Sequence, residues 1–598
     1  MHHQPFLIVL LALVLAGPLA AQATGPDLRV TAIAGIQNYP HDASLGFDAF
    51  AFGTTVCNLG DQDLDWVAGT SNHPVIGYQI YRLLNGRFES IGMSWARHPF
   101  FAASQNACGP CNGSFGSLLG AGCSDFTSAA LAGMQLSFGP RSEIAASTVL
   151  FPFPPASPPI TSALDRRLQV ALADLGQPGA RYFAEALYLS AAETLAGHAL
   201  DNASWHEVGF QPSGGGFDLQ LIGSTTVVGE PAILAWKSVD PQVQVTTVDI
   251  PGDGRVFVAL RARELGPAHW RIDVAVQNLN SHEGISSLVL DRPAGSTILN
   301  SSSRVARHHS GEMISNAPWV FRSGSSLMSW DTVRFSIDPN SSAVRWGNLH
   351  AFSVETTTPP GLVISGQLKT HRSATSHPFS VTLPHRITVL SGQGQAANPF
   401  EAFAQPVRVR VDDAHGQPVA NQPVAFAVDS GPGVITGSSM VTTNALGEAQ
   451  LQVQAAGVAG TVAVSAAIPD DRATVALEVR KLLTQFSPAL GLLTLALETE
   501  LPLTPTVLAA DVPGVQIPTN WGVICTTALT PAPTLFMVSS IPGVGSFDAR
   551  LTTSMTGDWL VQVPDLALLG GTGFTLVFQA YAVASTGAYI SNCVSLTF

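Results

Sequence analysis

Short stretches in which apolar and polar side chains alternate recur along most of this chain, separated by Gly, Pro, Asn and Asp. Alternation with a period of two predicts strands, and the punctuation between them predicts tight turns. Leu28 to Ile33 and Phe50 to Gly60 open the series. Arg167 to Leu172 leads, through the turn signal Pro178-Gly179, to Tyr182 to Leu189. That last run has the composition of an amphipathic helix, but the aromatics near its ends and the turn before it favour a strand. Val256 to Ala262 and Trp270 to Gln277, with Gly266-Pro267 between them, predict neighbouring strands, and Thr332 to Ile337 and Ala351 to Val354 predict two more. Phe151 to Pro159 predicts an exposed Pro-rich loop, and Pro212 to Gly216 a bend near the end of the first block. The expected fold is all-β, a tandem row of β-sandwich domains over 25–225, 229–383, 385–480 and 486–598.

Composition agrees with several packed cores. In 598 residues, 46% are apolar and 12% charged, too apolar for a disordered chain. The net charge of −14 argues against a nucleic-acid partner, which needs a basic surface. The N-terminus has the form of a secretory signal over 1–23: Phe6 to Leu15 is apolar, Gly17-Pro18 breaks it, and Ala21-Gln22-Ala23 is a small-x-small cleavage site. No later apolar run reaches the 18 or so residues that a membrane helix needs. In an exported chain, cysteines favour disulfides. Cys525 and Cys593 stand alone in the last block and are expected to pair. Among Cys57, Cys108, Cys111 and Cys123 three connectivities are open, of which Cys108–Cys111 with Cys57–Cys123 is favoured. A four-cysteine zinc site is the rival; it usually shows two Cys-x-x-Cys pairs, and only one is present.

Chemistry-bearing residues are densest between Asn72 and Arg141, which holds His73, Tyr78, Trp95, His98, the four-cysteine cluster and Asp125. His73 and His98 could ligate a metal with Asp125 or His206, since two histidines and a carboxylate suffice for a catalytic site. The simpler expectation is that both histidines cap strands and bond backbone carbonyls. A second cluster is His308-His309-Ser310-Gly311-Glu312. Adjacent histidines on a strand point to opposite faces, but a loop could bring His309 to Glu312. No Gly-x-Ser-x-Gly elbow and no Ser–His–Asp set can be read. Exposed Trp and Tyr could stack on sugar rings, although Trp is more often found in sandwich cores.

The third block resembles the bacterial immunoglobulin-like domain group 1, the Big-1 module of invasins and intimins, over about 386–480. The segments that carry the resemblance are Leu390 to Gln395, Val407 to Asp413, Gly416 to Asn421, Val424 to Val428, Thr442 to Ala449 and Gly460 to Ala466. It implies an Ig-like sandwich serving as a spacer or adhesive module on a secreted protein. The first two blocks resemble a pair found in large, uncharacterised secreted bacterial proteins, through His73 to Gly77 with Trp95, Ala232 to Pro241, Ala275 to Asn280 and Arg345 to Leu349. That likeness implies no activity. In layout the first block is also similar to the lysyl oxidase sandwich, with His73, Tyr78, Gly92, Trp95, Cys108 to Cys123, Asp125 and Asn202 in matching order. The family's copper needs closely spaced histidines and its quinone a particular Lys. Here only His73 stands at the first place, and no Lys precedes Lys237.

These readings converge on a secreted or cell-surface structural or adhesive protein with no cofactor and no evident catalytic set. Its expected partners are extracellular polysaccharide or cell-surface components. The alternative is a secreted enzyme or carbohydrate-binding protein whose site lies within residues 72–141.

Overall fold

A computed structural model describes residues 24–480 apart from 42, 112–115 and 399, and beyond 480 a set of backbone strands. The expected signal segment 1–23 and the side chains of Cys525 and Cys593 lie outside the described residues. The chain divides into two compact units, Met1–Leu383 and Pro384–Phe598. The fold is all-β. Among the described residues no helix is long and apolar enough to cross a membrane.

The first unit is built in three layers. Its first sheet runs, in spatial order, through the strands Leu28–Asn38, Phe47–Asn58, Leu168–Ala171, Arg87–Met93, Val75–Leu84, Arg181–Leu189, Ala203–Ser213 and Gly216–Leu221. All these neighbours are antiparallel. The sheet curls until its first strand meets its last two: Asn38 Oδ1 accepts from the Leu219 amide at 2.9 Å, and Ser204 Oγ donates to the Val30 carbonyl at 2.6 Å. Successive side chains of a strand face opposite ways, and here both faces are covered. Along Val75–Leu84, Ile76, Tyr78 and Ile80 enter the core inside the curl, with Phe50, Phe52, Ala184 and Tyr188. Val75, Tyr81 and Leu83 enter a second core outside it, with Phe88, Phe183 and Leu187.

That outer core is shared with the second block. It takes in Ala232, Ile233 and Trp236 of the short helix region Ile233–Val239, and Phe257, Ala259, Ala275, Leu349 and Ala351 from a second sheet. The second sheet has the order Gln244–Ile250, Gly254–Gly266, His269–Asn278, Asn348–Thr356, Ile298–Arg304. Its other face packs on a third sheet, ordered Val320–Ser323, Leu327–Asp331, Ile285–Asp291, Val363–Thr370, Ser376–Thr382. Trp330 of the third sheet meets Phe352 of the second with ring centroids 5.6 Å apart. The middle sheet is thus covered on both sides, and the blocks 25–225 and 229–383 form one compact unit.

The boundary between these blocks is sealed by a buried polar network. Both oxygens of Glu185 accept: Oε1 from the Tyr81 hydroxyl at 2.9 Å and Gln277 Nε2 at 3.0 Å, Oε2 from Gln277 Nε2 at 2.8 Å and the Ala232 amide at 2.6 Å. Gln277 Oε1 in turn accepts from the Ile233 amide at 3.0 Å. Buried polar groups persist where their partners are supplied in this way.

One expected strand is absent. Thr332 to Ile337 forms a loop ending in a turn, closed by the Ile337 and Asp338 amides on the Arg334 carbonyl. Its apolar positions are not gathered on a buried face, with Val333 and Ile337 43% and 75% exposed, so the alternation carried no burial.

In the second unit, residues 386–480 form a β-sandwich around a core of their own. Arg386–Ser391, Val407–Asp412 and Glu448–Leu451 make one sheet. Ala396–Ala397, Asp471–Val479, Gly460–Ile468, Pro423–Ser430 and Met440–Thr442 make the other. Val409, Val424, Phe426, Val462, Val464 and Val475 fill the core. A tight turn lies at Asp413–Gly416: Asp413 Oδ1 accepts from the His415 and Gln417 amides at 2.8 and 2.9 Å, and Gly416 takes φ +75°.

Candidate functional site

The stretch from Asn72 to Arg141 is folded into the first sheet and the loops against it. All four of its region's cysteines are oxidised, but not in the expected pairs: the bonds are Cys57–Cys108 and Cys111–Cys123, with Cα–Cα distances of 6.1 and 4.6 Å. Strand register explains the correction. Cys57 lies opposite Ser124 in the pairing of Phe47–Asn58 with Ser124–Thr127. Directly paired residues share a face and successive ones alternate. Cys57 and Cys123 therefore point to opposite sides of the sheet, and each reaches a different cysteine of the loop. With four disulfide-bonded cysteines there is no thiolate set for zinc.

His73 and His98 do come together. His73 Nε2 lies 3.0 Å from His98 Nδ1, with the rings edge to face. The two rings face each other, and Phe151 and Phe153 pack around them with ring centroids 5.1–5.9 Å away. Burial there holds each imidazole down at about 4, and for His98 the neighbouring His73 and Arg97 add to the effect. The pair is neutral at physiological pH.

The other two metal candidates stand apart in separate bonds. Asp125 Oδ1 accepts from the Ala103 amide at 2.7 Å, and burial raises its carboxyl despite that bond. His206 Nδ1 lies 3.1 Å from Thr226 Oγ1. Among the described residues, no group of three or more His, Cys, Asp or Glu side chains could hold a metal ion.

What the sequence did not reveal is that its two clusters meet. The loop carrying His308 to Glu312 docks onto the central stretch. His309 Nε2 lies 2.8 Å from the Met93 carbonyl, and Trp95 Nε1 donates to the His309 carbonyl at 3.1 Å. The Arg166 amide donates to Ser310 Oγ at 2.8 Å, and the Ser142 amide to Glu312 Oε1 at 2.8 Å. The carboxylate partner within the loop is His308, whose Nδ1 lies 2.8 Å from Glu312 Oε2, rather than the expected His309. Burial alone would raise Glu312, but the His308 contact and the Ser142 amide hold it down at about 2. His309 is held at about 4, by burial foremost. Sequence spacing could not show this junction, because its contacts join residues 144 or more apart.

Arg141 completes the junction. It is 2% exposed, stacks over Trp346 at 5.0 Å, and donates from Nε to the Ser94 carbonyl at 2.7 Å and from Nη2 to the Tyr78 carbonyl at 3.0 Å. Trp346 Nε1 donates back to the Arg141 carbonyl at 3.1 Å. Trp66, Trp95, Trp205, Trp236, Trp319, Trp330 and Trp346 are all buried, so these rings are packed and not displayed to a sugar.

Comparison with known proteins supports the resemblance of the third block. Residues 395–480 match the family model of the bacterial Ig-like domain (group 1), well under half of the chain. No curated protein sequence matches the chain. Among solved structures, the D00–D0 domain of intimin is similar at 16% identity, over 40% of this chain and 98% of that one, with a TM-score of 0.15. The Escherichia coli adhesin FdeC is similar at 12% identity, over 59% and 96%, with a TM-score of 0.17. Invasin, titled a bacterial integrin-binding protein, is similar at 10% identity, over 58% and 59%, with a TM-score of 0.15. Likeness at this level speaks to neither activity nor partner.

Proposed function

We propose that this chain is an exported adhesive or structural protein, held outside the cell or on its surface, in which the first unit engages extracellular polysaccharide or cell-surface components. The observation that carries the reading is the bacterial Ig-like match at 395–480, a module type suited to spacing and adhesion. Two disulfides in the first unit support an oxidising compartment. Weighing against the enzyme alternative, its candidate histidines His73 and His98 are buried and face each other, and Asp125 and His206 bond to other groups.

The test is made in the source cells. Protease treatment of intact cells, or analysis of their medium, should recover peptides from 395–480, and deletion of the gene should lower adherence to polysaccharide-coated surfaces several-fold. Peptides recovered only after lysis, or adherence unchanged by deletion, would sink the reading.

A further inference from the structure

The curl of the first sheet is closed at one end by side chains rather than by a strand ladder. Among the described residues, its last strand, Gly216–Leu221, is paired only with Ala203–Ser213. Its free edge meets the strands Leu28–Asn38 and Phe47–Asn58 through three bonds. Asn38 Oδ1 accepts from the Leu219 amide at 2.9 Å, and Asn38 Nδ2 donates to the Leu219 carbonyl at 3.4 Å. Asp48 Oδ2 accepts from the Phe217 amide at 2.7 Å. His41, in the connection between those two strands, adds a further link. Its Nδ1 lies 2.9 Å from Asp48 Oδ1, and its Nε2 lies 3.3 Å from Asp218 Oδ1. The bend Pro212 to Gly216 makes room for it: a Cβ on Gly216 would stand 2.6 Å from both Asp48 carboxylate oxygens and from His41 Nδ1.

Both ring nitrogens of His41 therefore face carboxylate oxygens. A neutral imidazole has one N–H and one lone pair, so it donates to one carboxylate and sets its lone pair against the other. Only the imidazolium donates to both. Asp48 is 1% exposed, whereas the Asp218 side chain is 43% exposed. The proton kept by a neutral ring belongs on Nδ1, toward the buried carboxylate, and Asp218 is the partner that loses its donor. We propose that His41 is a pH-sensitive latch on this seam: as an imidazolium it ties Asp48 to Asp218, and on losing a proton it releases Asp218 and loosens the strand Gly216–Leu221 from the two strands it meets. Asp48 and Asp218 are the charged groups that act on the ring among the described residues; Asp42, next in sequence, lies outside them. The bond to Asp48 foremost holds the imidazole above its usual 6.5, burial opposes it, and the two carboxylate charges add to the rise. A group raised in this way contributes in full below about 6.5, and its contribution is lost as pH rises through the raised value. The latch is independent of the surface role proposed above.

Hydrogen exchange on the full chain tests it, followed between about pH 6 and 8.5, with each rate divided by that of unstructured peptide at the same pH. Protection of the Phe217 and Leu219 amides should fall several-fold across that range, with a midpoint above 6.5, through local opening. The strand His269–Asn278 should stay protected throughout, which shows that the unit remains folded. His41→Gln should give low protection at these two amides at every pH. Asp48 is buried and its replacement risks misfolding, so the second variant is Asp218→Asn, at an exposed side chain, and it should lose most of the pH dependence. Protection independent of pH in the wild-type chain, or a pH dependence as large as the wild type's in either variant, would overturn the proposal.

Discussion

Single residues here act through burial more than through reactivity. His73, His98 and His309 are each held near 4 by desolvation, and His350, also wholly buried, at about 3. Unfolded histidines titrate near 6.5. Between about pH 6.5 and 4 the unfolded chain therefore binds protons that the folded one refuses, and stability falls as pH falls through that window. Glu312 acts in a lower window: its carboxylate contributes stability above about 4.5, lost as pH drops toward 2. Thermal unfolding from pH 7 to pH 4 should show a steadily falling melting temperature, and His98→Gln should flatten the fall. A flat profile in the wild-type protein would show that these imidazoles are open to solvent. The cysteines yield a second check at this scale. Non-reducing peptide mapping should recover Cys57 linked to Cys108 and Cys111 to Cys123; a Cys108–Cys111 peptide would contradict the register that separates Cys57 from Cys123. The entropic model assigns about 4 and about 3 kcal/mol to loops of 51 and 12 residues.

At the scale of elements, alternation was a good guide where one strand face met a core and a poor one elsewhere. Leu28–Asn38, Arg181–Leu189 and His269–Asn278 were legible because aromatic and β-branched residues recur in them with turn signals between. Thr332 to Ile337 carried the same pattern and formed a loop: Phe335 packs on His371 and Arg372, but Val333 and Ile337 stay exposed. Disulfide pairing was illegible for a related reason: it depends on which face each cysteine takes, and register is not written in spacing. The network around Glu185 was missed altogether, since a glutamate within an apolar strand gives no sign that Tyr81 and Gln277 will both reach it. That network makes a sharp prediction. Both Glu185 oxygens accept hydrogen bonds, so Glu185→Gln sets an amide donor against donors. Chemical denaturation should show a loss of about 2 kcal/mol, with Tyr81→Phe milder. An unchanged midpoint in Glu185→Gln would mean that water already satisfies the site.

For the whole molecule, the Ig-like sandwich of 386–480 could be read from sequence because its strands and turns lie close together along the chain. The joining of the first two blocks could not, because it rests on contacts such as Met93 to His309 and Arg141 to Trp346. The central claim is that the residues with most chemistry, from Asn72 to Arg141 and from His308 to Glu312, weld the first unit together and do not form an open site. Backbone amides in such a junction exchange only when the whole unit unfolds, whereas loops around a working site open locally at much lower cost. Native-state hydrogen exchange on the full chain at pH 7 tests this most directly. Amides of Trp95, His98, Ser142 and Arg166 should exchange together with those of the central strand His269–Asn278, at the rate of global unfolding. Fast exchange at these four amides, with the central strand still protected, would contradict the account.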